Sequence, residues 1–191
     1  MFAFVGPPIA GRDPVPFLDR NSVSAHAMLV RREVILPQHF SGRFDFDHLI
    51  AVSAASAGGI VHVPEAVTYH RIHGANQVHQ SLGNWQRHRQ TKDRARIRAR
   101  KLAGLSELTG ALLGHPRAPR ATLDAFTRLH EIANATLRNT AWVRKPVDLG
   151  EVEALLRRVS SDQDAIRSVK RRYAKLARGS MHPSNWLPRL G

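Results

Sequence analysis

Two carboxylates, Asp45 and Asp47, stand at the head of a run of small and apolar residues, DHLIAVSAASA at 47–57. A carboxylate at the start of a helix can cap open backbone N–H groups. It can also accept a proton from a hydroxyl that attacks an electrophilic carbon. Position beside the positive end of the helix dipole favours its ionised form. Further on, Arg71 and His73 fall two residues apart, on one face of an extended segment. A guanidinium there offers a planar fork to phosphate, or the pair is simply a solvated loop. His62, His70, His73, His79 and His88 invite a zinc reading. Their spacings match no standard ligand pattern, and no His-Glu-x-x-His occurs. Gly58-Gly59 lacks the following residues that would make a phosphate loop or a dinucleotide fingerprint.

The elements that must position these residues can be read coarsely. Residues 1–20 are rich in Pro and Gly and predict an irregular lead-in. SAHAMLVR, residues 24–31, predicts a short buried strand, with a turn near Pro37 to Gly42. The small-residue run predicts a helix with Leu49, Ile50, Ala54 and Ala57 on one face, stopped by Gly58 and Gly59. IVHV, then Pro64-Glu65, then AVTYHRI predict two short strands around a turn. After Trp85 the texture becomes helical. Four stripes recur at helical spacing: Ile97 to Leu112, Leu123 to Leu137, Val152 to Val159, and Ile166 to Leu176. Gly114 with Pro116 ends the first and Gly179 the last. The organisational break falls near residue 84.

Charge divides at the same place. Residues 1–84 hold six Lys/Arg and six Asp/Glu, whereas 85–191 hold 23 Lys/Arg and nine Asp/Glu. The whole surplus of +14 therefore lies in the second part. A basic helix at 87–101, RHRQTKDRARIRARK, could lie on anionic lipid or on a phosphate backbone. Scarce aromatics around it weigh against nucleic acid. A solvated basic face is the plain alternative. The absence of cysteine excludes disulfides and thiolate metal sites. The apolar start lacks a basic n-region and is not read as a signal peptide. No apolar run approaches the ~20 residues of a membrane span.

Residues 43–78, RFDFDHLIAVSAASAGGIVHVPEAVTYHRIHGANQV, resemble the end of the catalytic domain in family-2 glycosyltransferases of the GT-A fold, especially the rhamnosyltransferase-like branch. That pattern opens a helix with an aromatic and an Asp, here Phe46-Asp47-His48. It continues through a helix ending in Gly, an apolar strand and Pro64-Glu65. It closes as Tyr-Arg-x-His-Gly-x-Asn, matched by His70-Arg71-Ile72-His73-Gly74-Ala75-Asn76. His70 replaces the usual Tyr. SAHAMLVRRE, residues 24–33, is similar to the segment preceding this one in the family, so the resemblance covers about 20–80.

The resemblance implies an α/β fold: residues 1–84 the C-terminal part of a GT-A-like domain, and 85–191 a basic, mainly α-helical tail. It implies Asp47 as catalytic base, with Asp45 in reserve, and His73 as a ligand of a divalent Mn or Mg ion. Arg71 and Asn76 would bind substrate. The partners implied are a nucleotide-diphosphate sugar and a glycan or lipid-linked acceptor, transfer occurring with inversion in surface polysaccharide synthesis. A cytoplasmic place follows, peripheral to the inner membrane face through the basic tail. In the family an Asp-x-Asp motif in the nucleotide-binding half carries the metal. No such motif in strand context precedes residue 43, and Asp45-Phe46-Asp47 lies at the later helix-opening position. The chain alone is therefore expected to be inactive, without the half that grips the donor. The rival reading is a non-catalytic basic helical module that binds nucleic acid or anionic membrane.

Overall fold

The computed structural model describes residues 7–40, 45–65, 104–138 and 147–179. Within them the chain is helical. Helix α1, Val15–Asp19, begins behind Pro14 and buries Val15, Phe17 and Leu18. Asp13 fixes its start: Oδ1 accepts from the Val15 N–H at 2.9 Å, and Oδ2 accepts from the Ser160 hydroxyl. Three short 3-10 turns follow, at Ala25–Ala27, Arg32–Val34 and Pro37–Phe40. Helix α2 is Phe46–Ala57. Helix α3 covers 104–110, α4 is Arg120–Arg138, α5 is Leu149–Arg157 and α6 is Gln163–Gly179.

The α/β expectation is overturned, because no strand occurs among the described residues. The segment 24–31 folds into a 3-10 turn with Leu29 fully exposed. IVHV fares similarly: Ile60 pairs with Gly11 through two 2.8 Å backbone hydrogen bonds, as an isolated bridge, while Val61 and Val63 stay exposed. A short apolar run becomes a strand only where another backbone offers a ladder of donors and acceptors. Here the partner offers a single residue. The expected second strand, AVTYHRI, lies outside the described residues. The lead-in is also not wholly irregular, since α1 sits in the core.

Helix α2 keeps its expected bounds but not its expected face. His48, Leu49, Ile50, Ala51, Val52, Ser53, Ala55 and Ser56 are all buried, while Ala54 and Ala57 are half-buried. Its Ala and Ser side chains let neighbours close on nearly every side, and a helix of this kind is a core helix. Gly59, at φ +99°, ends it by donating to the Ala54 carbonyl at 2.8 Å. A Cβ there would meet the Gly11 backbone at 3.3 Å.

The four helical stripes form as far as they are described. Leu105, Leu108 and Leu112 are buried, as are Phe126, Leu129 and Ala133, then Val152, Leu155 and Leu156, then Ile166, Val169, Tyr173 and Leu176. Ile97 and Leu102 lie outside the described residues. Asp148 caps α5 by accepting from Gly150 and Glu151 N–H groups at 2.8 and 3.0 Å. Asp162 caps α6 through Asp164 and Ala165 N–H groups, both at 3.0 Å. Helices α3 and α4 meet over Gly110, where an added Cβ would stand 2.9 Å from the His130 ring. His130 Nδ1–H donates to the Ser106 carbonyl at 2.8 Å, so Nε2 accepts from Asn134, whose Oδ1 accepts from the Ser106 hydroxyl. That polar seam is closed on itself.

Helix α1 packs on α6 and on α2, and α6 packs on α4 and α5. Val15, Phe17, Leu49 and Val52 belong to the same core cluster as Leu108, Phe126, Leu156 and Tyr173. The boundary near residue 84 lies outside the described residues. Further ties join the N-terminal segment to the loop after α3: Gln38 donates to the Leu113 carbonyl at 2.9 Å, and Arg117 pairs with Glu33 at 2.8 Å.

Candidate functional site

Asp47 sits in the first turn of α2, one residue inside Phe46. Asp45, not Asp47, holds the N-cap position, and its side chain makes no capping hydrogen bond. Asp47 is half-buried. Its Oδ1 accepts from the His48 N–H at 2.8 Å.

Burial pushes the Asp47 carboxyl above its ordinary value, and the negative charge of Asp45 acts in the same direction. The backbone hydrogen bond from His48 acts against this without cancelling it. The dipole argument alone predicts the opposite direction; loss of water around the charged form is the larger effect here. A carboxylate with a raised pKa is a stronger base, which suits a group that must take a proton from a hydroxyl.

Two buried imidazoles, His48 and His39, make contacts at α2. His48 is 6% exposed, and its Nε2–H donates to the Phe17 carbonyl, joining α2 to α1. His39 is also buried. Its Nδ1 accepts from the Leu36 N–H at 3.1 Å, so Nε2 carries the proton, facing Ser53 Oγ at 2.9 Å and the Ala111 carbonyl at 3.2 Å. These imidazoles are structural donors held neutral by burial. Sequence spacing gave no sign of their partners, because each contact joins residues far apart in the chain.

Arg71, His73 and Asn76 lie outside the described residues, as does the expected cleft shared by Asp47 and His73. His62, the one member of the histidine series that is described, is exposed. Among the described residues no group of three or more His, Cys, Asp or Glu side chains could hold a metal ion. They do not by themselves fit the Mn or Mg that the resemblance implies.

A separate open groove of about 660 Å³ lies between residues 8–20 and the start of α6. It is lined by Asp13, Asp19, Asp162, Asp164, Arg20 and Arg171 among others, and does not include Asp47. Three of its carboxylates are already engaged, Asp162 in capping α6, Asp13 with Ser160 and Val15, and Asp164 with Arg167.

No helix among the described residues is long and apolar enough to cross a membrane. No family model matches the chain, and neither a curated protein nor a solved structure matches it.

Proposed function

We propose that residues 20–80 form the acceptor side of an inverting glycosyltransferase that uses a nucleotide-diphosphate sugar. Asp47 takes the proton of the acceptor hydroxyl as that oxygen attacks the sugar carbon. The groups that hold the donor diphosphate and its metal are supplied from outside these 191 residues. One observation carries this reading. Asp47, the residue the motif order selects, is a half-buried carboxylate in the first turn of α2, made more basic by burial and bonded to the His48 N–H at 2.8 Å. The reading needs no sheet among the described residues. It places the glycan or lipid-linked acceptor at α2, and sets the basic residues of 85–191 against an anionic membrane surface.

The test uses the full chain. Calorimetry with a nucleotide sugar, with and without Mn²⁺, is expected to show no tight binding. Positioning of a bound donor supplies about 7–11 kcal/mol of a barrier, so the chain alone is expected to be inactive. Supplied with a nucleotide-binding half, as a second chain or as a fusion, it is expected to transfer sugar. Asp47→Asn in that assembly should leave donor binding nearly intact and lower turnover by at least about 100-fold. Undiminished turnover in Asp47→Asn would refute the assignment of the base.

A further inference from the structure

Residues 31–40 form a strap that packs on α2 and bonds to the loop after α3. It is built of the 3-10 turns Arg32–Val34 and Pro37–Phe40, each too short to hold itself. No side chain of 27–40 enters the hydrophobic core cluster. Within the strap the buried side chains are Val34 and His39. The Glu33–Arg117 pair and the Gln38 bond to the Leu113 carbonyl lie at the surface, where such ties contribute little. His39 is the polar anchor. Its Nε2–H faces Ser53 Oγ of α2 at 2.9 Å and the Ala111 carbonyl at 3.2 Å. In the loop after α3, His115 is fully buried and lies within electrostatic reach of His39. The Val34 carbonyl of the strap faces the His115 ring, but His115 Nε2 has no hydrogen-bond partner among the described residues.

We propose that the strap 31–40 is an acid-released latch, held shut by neutral His39 and His115 and opened locally when they take up protons. The inference is independent of the role of Asp47. Both rings are committed to the neutral form by their bonds. His39 Nδ1 accepts from the Leu36 N–H at 3.1 Å, and His115 Nδ1 accepts from the Arg117 N–H at 3.2 Å. A proton added at either Nδ1 turns an acceptor into a donor and sets it against a backbone N–H. The charge finds no counter-ion. His39 faces the Ser53 hydroxyl of α2, the Ala111 carbonyl and His115. His115 faces the Val34 carbonyl and Arg117, whose guanidinium is paired with Glu33. Among the described residues no carboxylate bonds to either ring, and each charged imidazole would repel the other. In the open strap both rings meet water and protonate near 6.5. Opening also frees the unpartnered His115 N–H, so the closed state is already taxed before any proton arrives. The sign follows: closure is full above about 6.5 and is lost as pH falls below it.

The experiment is amide hydrogen exchange of the full chain, read by mass spectrometry at about pH 7 and 5.5 and corrected for the intrinsic exchange rate. Peptides covering 31–40 are expected to lose at least about fivefold in protection at the lower pH. Their protection should lie well below that of peptides covering 126–133 and 166–176. It should also be insensitive to about 1 M urea, because a local opening exposes little surface, whereas exchange through global unfolding accelerates. The double variant His39→Gln, His115→Gln cannot take up the two protons, and the pH-dependent loss over 31–40 should vanish. His48 bonds to α1 and is left in place, so a loss routed through global unfolding would persist in that variant. The latch is overturned if 31–40 keeps its protection at pH 5.5, if it exchanges together with 126–133 and 166–176, or if the double variant retains the loss. Should the double variant lose helical circular dichroism, His115→Gln alone decides: at least a halving of the loss supports the latch, and an unchanged loss overturns it.

Discussion

Lowering the pH from about 7 to 4 should destabilise this fold through His48. The ring is 6% exposed and donates to the Phe17 carbonyl. Burial pushes its pKa down from 6.5 to about 4; the Arg172 charge acts the same way, while the Phe17 hydrogen bond and Asp45 act against it. In the unfolded chain the ring protonates near 6.5, whereas the folded state keeps it neutral to about 4. Between those values the unfolded state binds more protons, so the stability present above pH 6.5 is lost as pH falls through 4. At 1.36 kcal/mol per pH unit the whole window is worth roughly 3 kcal/mol, a large share of a typical domain's stability. His39 and His115, both lowered by burial, add in the same direction. Asp13 and Asp47, raised by burial, act oppositely, favouring the folded state as the carboxyls become protonated. Urea unfolding followed by circular dichroism at about pH 7, 5.5 and 4.5 reads the slope. His48→Gln keeps a neutral N–H donor and cannot protonate. It should cost about 1 kcal/mol at pH 7 and remove most of the 3 kcal/mol from the pH dependence. Equal pH slopes in the wild type and His48→Gln would refute the assignment of a buried neutral imidazole.

Other perturbations read the bundle and the tail. Tyr173→Phe removes the 2.8 Å hydrogen bond from the buried hydroxyl to the Leu129 carbonyl. It should cost about 1 kcal/mol in urea unfolding. Phe126→Ala, at a site with no exposure, should cost about 3–5 kcal/mol by the same measurement. A smaller loss for Phe126→Ala than for Tyr173→Phe would contradict the packing of α4 against α6. The full chain should co-sediment with phosphatidylserine vesicles more than with phosphatidylcholine vesicles, and less so as salt shortens the Debye length from about 8 Å. Equal sedimentation with both would count against an anionic surface as its partner.

The sequence showed the helices well and the β segments badly, for one physical reason. Helical order is written in spacing, so Phe126, Leu129 and Ala133, or Ile166, Val169, Tyr173 and Leu176, identify their own buried face before any partner is known. A strand depends on a second backbone. Nothing in IVHV states that Ile60 pairs with Gly11, forty-nine residues earlier. The small-residue helix was legible in its bounds through Gly58 and Gly59, but its buried face was not. Periodicity assumes one wet side, and α2 is covered nearly all round. At the site, motif order makes Asp47 the candidate, but its half-burial was not legible in the motif. The direction of its pKa was misjudged, because helix position is readable from sequence whereas desolvation by neighbours is not.

The basic part of the chain bears directly on the placement of Asp47. Helix α1 has five residues, too few for its last carbonyls to find intrahelical donors. Those carbonyls are satisfied from two other helices. His48 of α2 donates to the Phe17 carbonyl, while Arg172 of α6 donates to that of Leu18 and, at 3.2 Å, to that of Asp19. Three successive carbonyls therefore join α2 to α6, and a guanidinium is well placed at the negative end of a helix. Asp47 is the residue before His48, so the orientation of the candidate base depends on a hydrogen-bond chain that ends in the last described helix. Tyr173, next to Arg172, carries the connection on to α4 through the Leu129 carbonyl. The position of Arg172 makes α6 a support of the end of α1, to which His48 of α2 is also bonded.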